Sequence, residues 1–389
     1  MNQIQQLINQ MCPNGVEWKT LGEVGTFFNG VTGKSKKDFE NGNAKFISYM
    51  NVFSNPKLKI DVEDTILINK GEKQNTLQYG DVIFTTSSET PDESGMSSVL
   101  TTHTDEKLYL NSFCFGFRFN NLEIISPDFY SYIFRSEPLR NQIIKCANGV
   151  TRFNISKASF AKVKIPLPPL AIQTRIVEIL DHFTNLTANL NEELNLRRKQ
   201  FEYYREKLLA FGEDVEWKKL GEVAEIKRGK RLTTKQLDTE NGFPVYHGGI
   251  EPIGFYHSSN RPANTVMVIN VGASAGTVGF CDVDFWSSDG CFCICQNDSI
   301  RSKYLFYHLI GCEHQLKTKV RHAGIPTLDN KVVESVTIPI PPLAVQTRIV
   351  SILDKFTALI ENIEKELALR QKQYEYYREE LLRFERSTF

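Results

Sequence analysis

The sequence predicts an α+β protein: two α/β units at opposite ends of a long antiparallel two-helix coiled coil, with pseudo-two-fold symmetry. Three observations carry this. First, the 389-residue chain repeats itself: VEWKTLGEV at Val16–Val24 returns as VEWKKLGEV at Val215–Val223, and Ile165–Leu209 returns as Ile338–Leu382 with 31 of 45 positions identical. A repeat of this period marks duplicated structural units. Second, the two repeats lie at different offsets, 199 and 173 residues, so the segments they bracket (25–164 and 224–337) differ by 26 residues, and these share almost no identity. Third, apolar residues in the longer repeat recur at coiled-coil spacing.

Residues 1–165 form the first unit. Met1–Met11 has no basic region ahead of an apolar run, and the chain has no stretch of eighteen apolar residues, so neither a signal peptide nor a spanning helix is expected and the location is cytoplasmic. DVIFTT (Asp81–Thr86) and FCFGFRF (Phe113–Phe119) read as strands by their β-branched and aromatic content, with turn residues at Ser87–Gly95 between them. A short helical pattern follows at Pro127–Ile144.

Residues 166–212 are the first spacer helix. Pro168-Pro169 ends a strand and opens a helix, because proline suits the first helical turn and cannot continue a ladder. The seam is Ile172, Ile176, Ile179, Phe183, Leu186 and Leu190, with a slip of the heptad at Leu190 to Leu194. Residues 213–338 form the second unit, with strands at Val266–Asn270 and Phe292–Gln296 and a helical pattern at Ser302–Lys317. Residues 339–389 are the second spacer helix, with seam residues Val345, Ile349, Ile352, Phe356, Leu359 and Ile363. Each helix should run about 40 residues, roughly 60 Å. The second must turn back on the first to bury its stripe, so the pair is antiparallel.

Composition limits the chemistry. With 41% hydrophobic and 24% charged residues the chain is an ordinary globular protein. Eight cysteines without CxxC spacing fit a reducing compartment. Cys291, Cys293 and Cys295 alternate on one strand face, a pattern of buried thiols that does not close a tetrahedral metal site, so no metal is expected. Trp18 and Trp217, at matched places, read as core anchors. Gly33-Lys34-Ser35 fails as a phosphate loop, since Phe28 stands where the first glycine is required. No HExxH, GxSxG or dinucleotide fingerprint is present, so no catalytic residue is expected. The net charge is zero, which removes the usual electrostatic argument for nucleic acid. Two local clusters remain, each shortly after a VEWK segment: Lys34, Lys36 and Lys37, and Lys227, Arg228, Lys230 and Arg231. Their matched placement points to phosphate contact.

The two PPLAxQTRIVxILDxF segments (Pro168–Phe183 and Pro341–Phe356), the two VEWKxLGEV segments, GDVIFTTSSETPDESG (Gly80–Gly95) and FPVYHGGIEPIGFY (Phe243–Tyr256) resemble the specificity subunits of type I restriction-modification systems, over essentially the whole length. The resemblance implies a non-catalytic chain with two target recognition domains, each reading half of a bipartite site in double-stranded DNA. The helices would set the spacer and dock two modification subunits, and restriction subunits would complete the assembly. It implies no cofactor on this chain: S-adenosylmethionine, ATP and Mg belong to the partners. Candidate DNA contacts are Lys34, Lys36, Lys37, Thr85, Thr86, Ser87, Ser88 and Arg152 in the first unit. In the second they are Lys227, Arg228, Lys230, Arg231, His247, Arg261, Ser274, Arg321 and His322. A free-standing DNA-binding regulator, which needs no partner to hold its site, and a coiled-coil adaptor, which shows no salt-dependent DNA affinity, are the competing readings.

Overall fold

The computed structural model describes residues 6, 8 and 10–386. Two compact units emerge, Met1–Asn189 with Ala368–Phe389, and Leu190–Leu367. The boundary falls inside both long helices, so each helix belongs in part to both units.

The first unit is built on an antiparallel sheet of β1 (Gly25–Asn29), β2 (Val82–Thr85), β3 (Ser97–Val99) and β4 (Cys114–Phe119), in the order β1-β4-β2-β3. A smaller sheet holds Ala44–Ile47 between antiparallel Thr65–Ile66 and parallel Leu108–Leu110. Trp18–Thr20 pairs with Lys164–Pro166, closing the unit where the chain enters α1 (Leu170–Leu209). A third small sheet joins Ser87–Ser88 to the hairpin of Ala147–Asn148 and Phe153–Ile155.

The second unit repeats this topology strand for strand. Its main sheet is β5 (Ala224–Arg228), β6 (Thr265–Ile269), β7 (Val278–Cys281) and β8 (Cys291–Gln296), in the order β5-β8-β6-β7. Phe243–Tyr246 lies between antiparallel Gly254–Tyr256 and parallel Trp286–Ser287, and Trp217–Lys219 pairs with Thr337–Pro339 before α2 (Leu343–Leu381). Even the third small sheet has its counterpart in the bridges Val271↔Thr327 and Arg321↔Thr327. Sequence identity is lost because a sheet needs only apolar, strand-favouring side chains at its buried positions. The cores accordingly differ in kind. The first is phenylalanine-rich, with Phe84 edge-on to Phe134 and Phe160 at 5.1 and 4.7 Å; the second is mainly aliphatic, around Val266, Val268, Ile294, Leu305 and Leu309.

In each unit the start of one long helix packs beside the end of the other. Ile172, Ile176 and Leu180 share a core with Leu381 and Leu382, and Ile349 and Leu353 share one with Leu209. The helices are therefore antiparallel. Two stacked ring pairs mark the contact, Phe183–Tyr377 at 5.4 Å and Tyr204–Phe356 at 5.3 Å. Ile172, Ile176, Ile349 and Ile363 are buried, and Ile179, Phe183, Leu186, Leu190, Ile352 and Phe356 are half-buried. Val345 and Leu359 depart from the expected seam, 39% and 36% exposed. In its first turns each helix faces its own α/β unit, and the buried stripe runs through Gln173, Ile176, Leu180 and Gln346, Ile349, Leu353. Straight helices drift relative to a strict heptad, which leaves Leu359 at the stripe's edge.

The anchor role expected of Trp217 is also corrected. Trp18 packs against the core under the Arg386 guanidinium, 5.2 Å from its ring, because the end of the chain runs past it, with the Val16 N–H donating to the Glu385 carbonyl at 3.1 Å. Trp217 is 43% exposed, its indole N–H directed at the Gly212 carbonyl of a turn that does not cover the ring. Cys291 and Cys293 are buried and Cys295 half-buried; burial pushes the Cys291 thiol up to about 12. Among the described residues no group of three or more His, Cys, Asp or Glu could hold a metal ion, and no helix is long and apolar enough to cross a membrane.

Candidate nucleic-acid interface

The two units are fastened to their helices by the same side chain. Gln173 is fully buried, accepts from the Ser126 N–H at 2.8 Å and donates to the carbonyls of Ile124 and Pro168. Gln346 does the same with the Arg301 N–H and the carbonyls of Ser299 and Pro341. A buried amide with these partners fixes one orientation, since every unpaired group would cost about 1–3 kcal/mol. Two turns further on, Asp181 accepts from the Tyr132 hydroxyl at 2.5 Å and from Lys57, and Asp354 accepts from the Tyr307 hydroxyl at 2.6 Å and from Lys303. The repeated QTRIVxILD segment is thus a junction, and the surfaces it carries are free to differ.

In the first unit the hairpin turn, with Gly149 at φ 144° and Val150 90% exposed, borders a cavity of about 330 Å³. Arg152, Ser87 and Ser88 line it together with Tyr49, Met50, Phe53 and Phe113. The structure therefore brings three of the expected residues to one place. Ser87 and Ser88 are buried, with the Tyr49 hydroxyl donating to the Ser87 carbonyl at 2.9 Å and the Ser88 hydroxyl donating to Glu93. Lys36 and Lys37 are exposed on a short 3-10 turn and do not line this cavity.

Two expectations are corrected here. Lys34 is an internal tie, its side chain 5% exposed, its ammonium 2.6 Å from both Glu72 and the Leu67 carbonyl. That bond, with the Asn69 N–H and Gln74, lowers the Glu72 carboxyl to about 2. Thr85 is fully buried, its hydroxyl accepting from the Met96 N–H, so it cannot reach a ligand; Thr86 is half-buried beside it.

In the second unit a cleft of about 410 Å³ is lined by Arg228, Arg321, Asn270, Asp329 and Asn330 over Phe292. Arg228 is exposed, its Nε donating to the Asp289 carbonyl, and Arg321 is 69% exposed while bonded to Asp329 at 2.9 Å. His322 is exposed in the adjoining turn, where Gly324 takes φ 86° and Ile325 is 69% exposed. Lys230 and Arg231 are exposed nearby in sequence, and Lys227 is ion-paired with Glu225 at 2.9 Å. Arg261 is a correction: it is half-buried and braces the protein, donating to the carbonyls of Asn260 and Arg228, and its Nε is buried without a protein partner. His247 lies half-buried 3.3 Å from Asp289, and Ser274 is half-buried in a turn whose carbonyl accepts from Thr277. Sequence reasoning missed Asn270 and Asn330, whose side-chain oxygens are buried without a protein partner. The available signal was a carboxamide ending the otherwise apolar strand VMVIN, and another directly after Asp329. Arginine matches guanine O6 and N7 or phosphate, and asparagine matches adenine N6 and N7, so this cleft holds side chains of the kinds that can meet either base edges or the backbone.

Residues 13–196 and 212–369 match the family model described as the type I restriction modification DNA specificity domain. The chain belongs to that family. Each matched stretch of this type I specificity chain comprises one α/β unit and the start of the helix that leaves it. The chain is 36% identical over 263 residues to the specificity subunit of an Escherichia coli type I restriction enzyme, a match covering 59% of this chain and 65% of that one. It is 36% identical over 264 residues to a putative type I restriction enzyme specificity subunit of Haemophilus influenzae, covering 61% and 68%. Among solved structures, the type I S subunit of M. genitalium superposes with a TM-score of 0.62 over 94% of this chain and 96% of that one at 18% identity. A structure described as showing complex assembly and conformational transition of a type I system gives 0.55 at 20% identity over 95% and 98%. At these identities the likeness is one of fold.

Proposed function

We propose that this type I specificity chain recognises a bipartite sequence in double-stranded DNA, each α/β unit reading one half-site and the long helices setting the unread spacer. The observation that carries the reading is the contrast between two units of one topology, bolted to their helices by the same buried glutamine, and two candidate surfaces of unlike chemistry. One is an aromatic cavity lined by one arginine and two glutamates, Glu89 and Glu93, the other a cleft of arginines and carboxamides that also holds Asp329. The chain itself acts as a reader. Methyl transfer is assigned to two modification subunits with S-adenosylmethionine, and cleavage to restriction subunits with ATP and Mg, all in the cytoplasm. The exposed or cleft-lining cations Lys36, Lys37, Arg152, Arg228, Lys230, Arg231 and Arg321, with His322, are the groups we assign to the duplex.

The test is replacement of residues 224–337 by the corresponding insert of a relative, followed by methylome sequencing of cells that also carry the modification subunit. One half of the methylated sequence should change and the other persist. A change in both halves would show that the units are not independent readers. Purified alone, the chain should neither methylate nor cut DNA.

A further inference from the structure

The two units amount to two solutions of one problem, and their equivalent positions can be matched by register although their sequences cannot. Asn29, the last residue of β1, stands opposite Phe115; Arg228, the last residue of β5, stands opposite Phe292. Lys157 directly follows Ser156, which caps a short helix, and Asn330 directly follows Asp329, which caps the equivalent one. In the first unit the Lys157 ammonium donates to Asn29 Oδ1 and lies 5.4 Å from the centre of the Phe115 ring. In the second, Arg228 and Asn330 line one cleft over Phe292. At these matched positions each unit therefore places one cation and one carboxamide beside a phenylalanine, with the supplying elements exchanged. The strand gives the amide in the first unit and the cation in the second.

Neither cation is bonded to a carboxylate among the described residues. Lys34, Lys227 and Arg321, by contrast, each have a carboxylate within 2.9 Å. In the second unit the Asn330 amide nitrogen donates to Glu334 at 2.6 Å and its oxygen has no partner inside the protein, whereas the first unit's carboxamide, Asn29, accepts from Lys157 through its oxygen, so in each pair the cation is the group left for an anion. The next step rests on the proposed function: if the units read different half-sites, their base-reading groups must differ. A charge kept in one place, while the residue that provides it changes, serves what every half-site has in common. That common feature is the phosphate backbone, which positions a protein on DNA without carrying sequence.

We propose that Asn29 with Lys157, and Arg228 with Asn330, are matched phosphate clamps, one per unit, that hold the duplex in register without reading it.

The experiment uses the full chain with its modification subunit, titrated across a salt series against a cognate duplex and one of equal length with scrambled half-sites. Lys157→Asn should reduce the slope of log K against log salt by about 0.9. It should weaken both duplexes by the same factor and leave the methylated sequence unchanged. The double variant Asn29→Arg with Lys157→Asn transplants the second unit's arrangement into the first and should restore slope and affinity. Arg228→Asn, and its rescue by Asn330→Lys, is the mirror test if the first pair fails to fold. An unchanged slope, an altered methylated sequence, or folded double variants that bind no better than the single ones would overturn the clamp. Absence of DNA binding by the unaltered complex would overturn the proposed function itself, and the clamp with it.

Discussion

At the scale of single residues, the structure separates charges that hold the protein from charges left for a ligand. Lys34 belongs to the first group, and its partner reports on it. The Lys34 hydrogen bond, then the Asn69 N–H and Gln74, hold the Glu72 carboxyl at about 2 against an ordinary 4.5. A depressed carboxylate stabilises the fold above its unfolded value, and that stability is lost as pH falls from about 4.5 towards 2. Carbon-detected NMR titration should place the Glu72 midpoint near 2, and Lys34→Met should move it up; an unmoved midpoint would refute the tie. The buried glutamines give a second residue-scale prediction. Gln173→Ala leaves one N–H and two carbonyls without their partner, so thermal or denaturant unfolding should show a loss of roughly 3 kcal/mol. Gln346→Ala should cost about the same, because its three bonds are equivalent.

At the scale of elements, the helix pair is pinned at two symmetric ring stacks, Phe183 on Tyr377 and Phe356 on Tyr204. Truncating a fully buried phenylalanine costs roughly 3–5 kcal/mol. These rings are half-buried, so Phe183→Ala and Phe356→Ala should each cost about half as much. The two stacks belong to different compact units and share no partner, so their effects should add in the double variant. Marked non-additivity in denaturant melts would show that the two ends of the pair melt as one. Periodicity alone placed both helices well, yet misjudged Val345 and Leu359. A heptad describes how one helix meets another and says nothing of where the α/β unit takes over as the packing surface.

At the scale of the whole molecule, the proposed ruler can be tested by its length. Four residues inserted after Leu190 add about 6 Å and about 400° of rotation to α1, a surplus of only about 40° beyond a full turn. One base pair advances DNA by about 3.4 Å and turns it by roughly 35°. The unread spacer should therefore grow by one or two base pairs with both half-sites intact. Methylome sequencing reads this directly, and an unchanged spacer in an active variant would mean that the helices do not set the distance. Two inserted residues should instead rotate the apolar stripe by about 200° and abolish activity.

The sequence by itself determined the duplication, the helix pair and its antiparallel sense, because repeats and apolar periodicity are local signals that survive without coordinates. It also placed Arg228 in a basic cluster matched between the halves and, through the family resemblance, named Arg152 and Arg321 among the candidate DNA contacts. Only the tertiary structure decided which of the basic residues are free. Lys34 and Arg261 find their partners 38 and 33 residues away, at Glu72 and at the Arg228 carbonyl. Such pairings depend on which strands become neighbours, and strand neighbours are chosen by the whole sheet. For the same reason the equivalence of Lys157 with Asn330, and of Asn29 with Arg228, could not be seen in the chain. Residue identity has been lost between the units, and only the hydrogen-bond register still records that they occupy the same place.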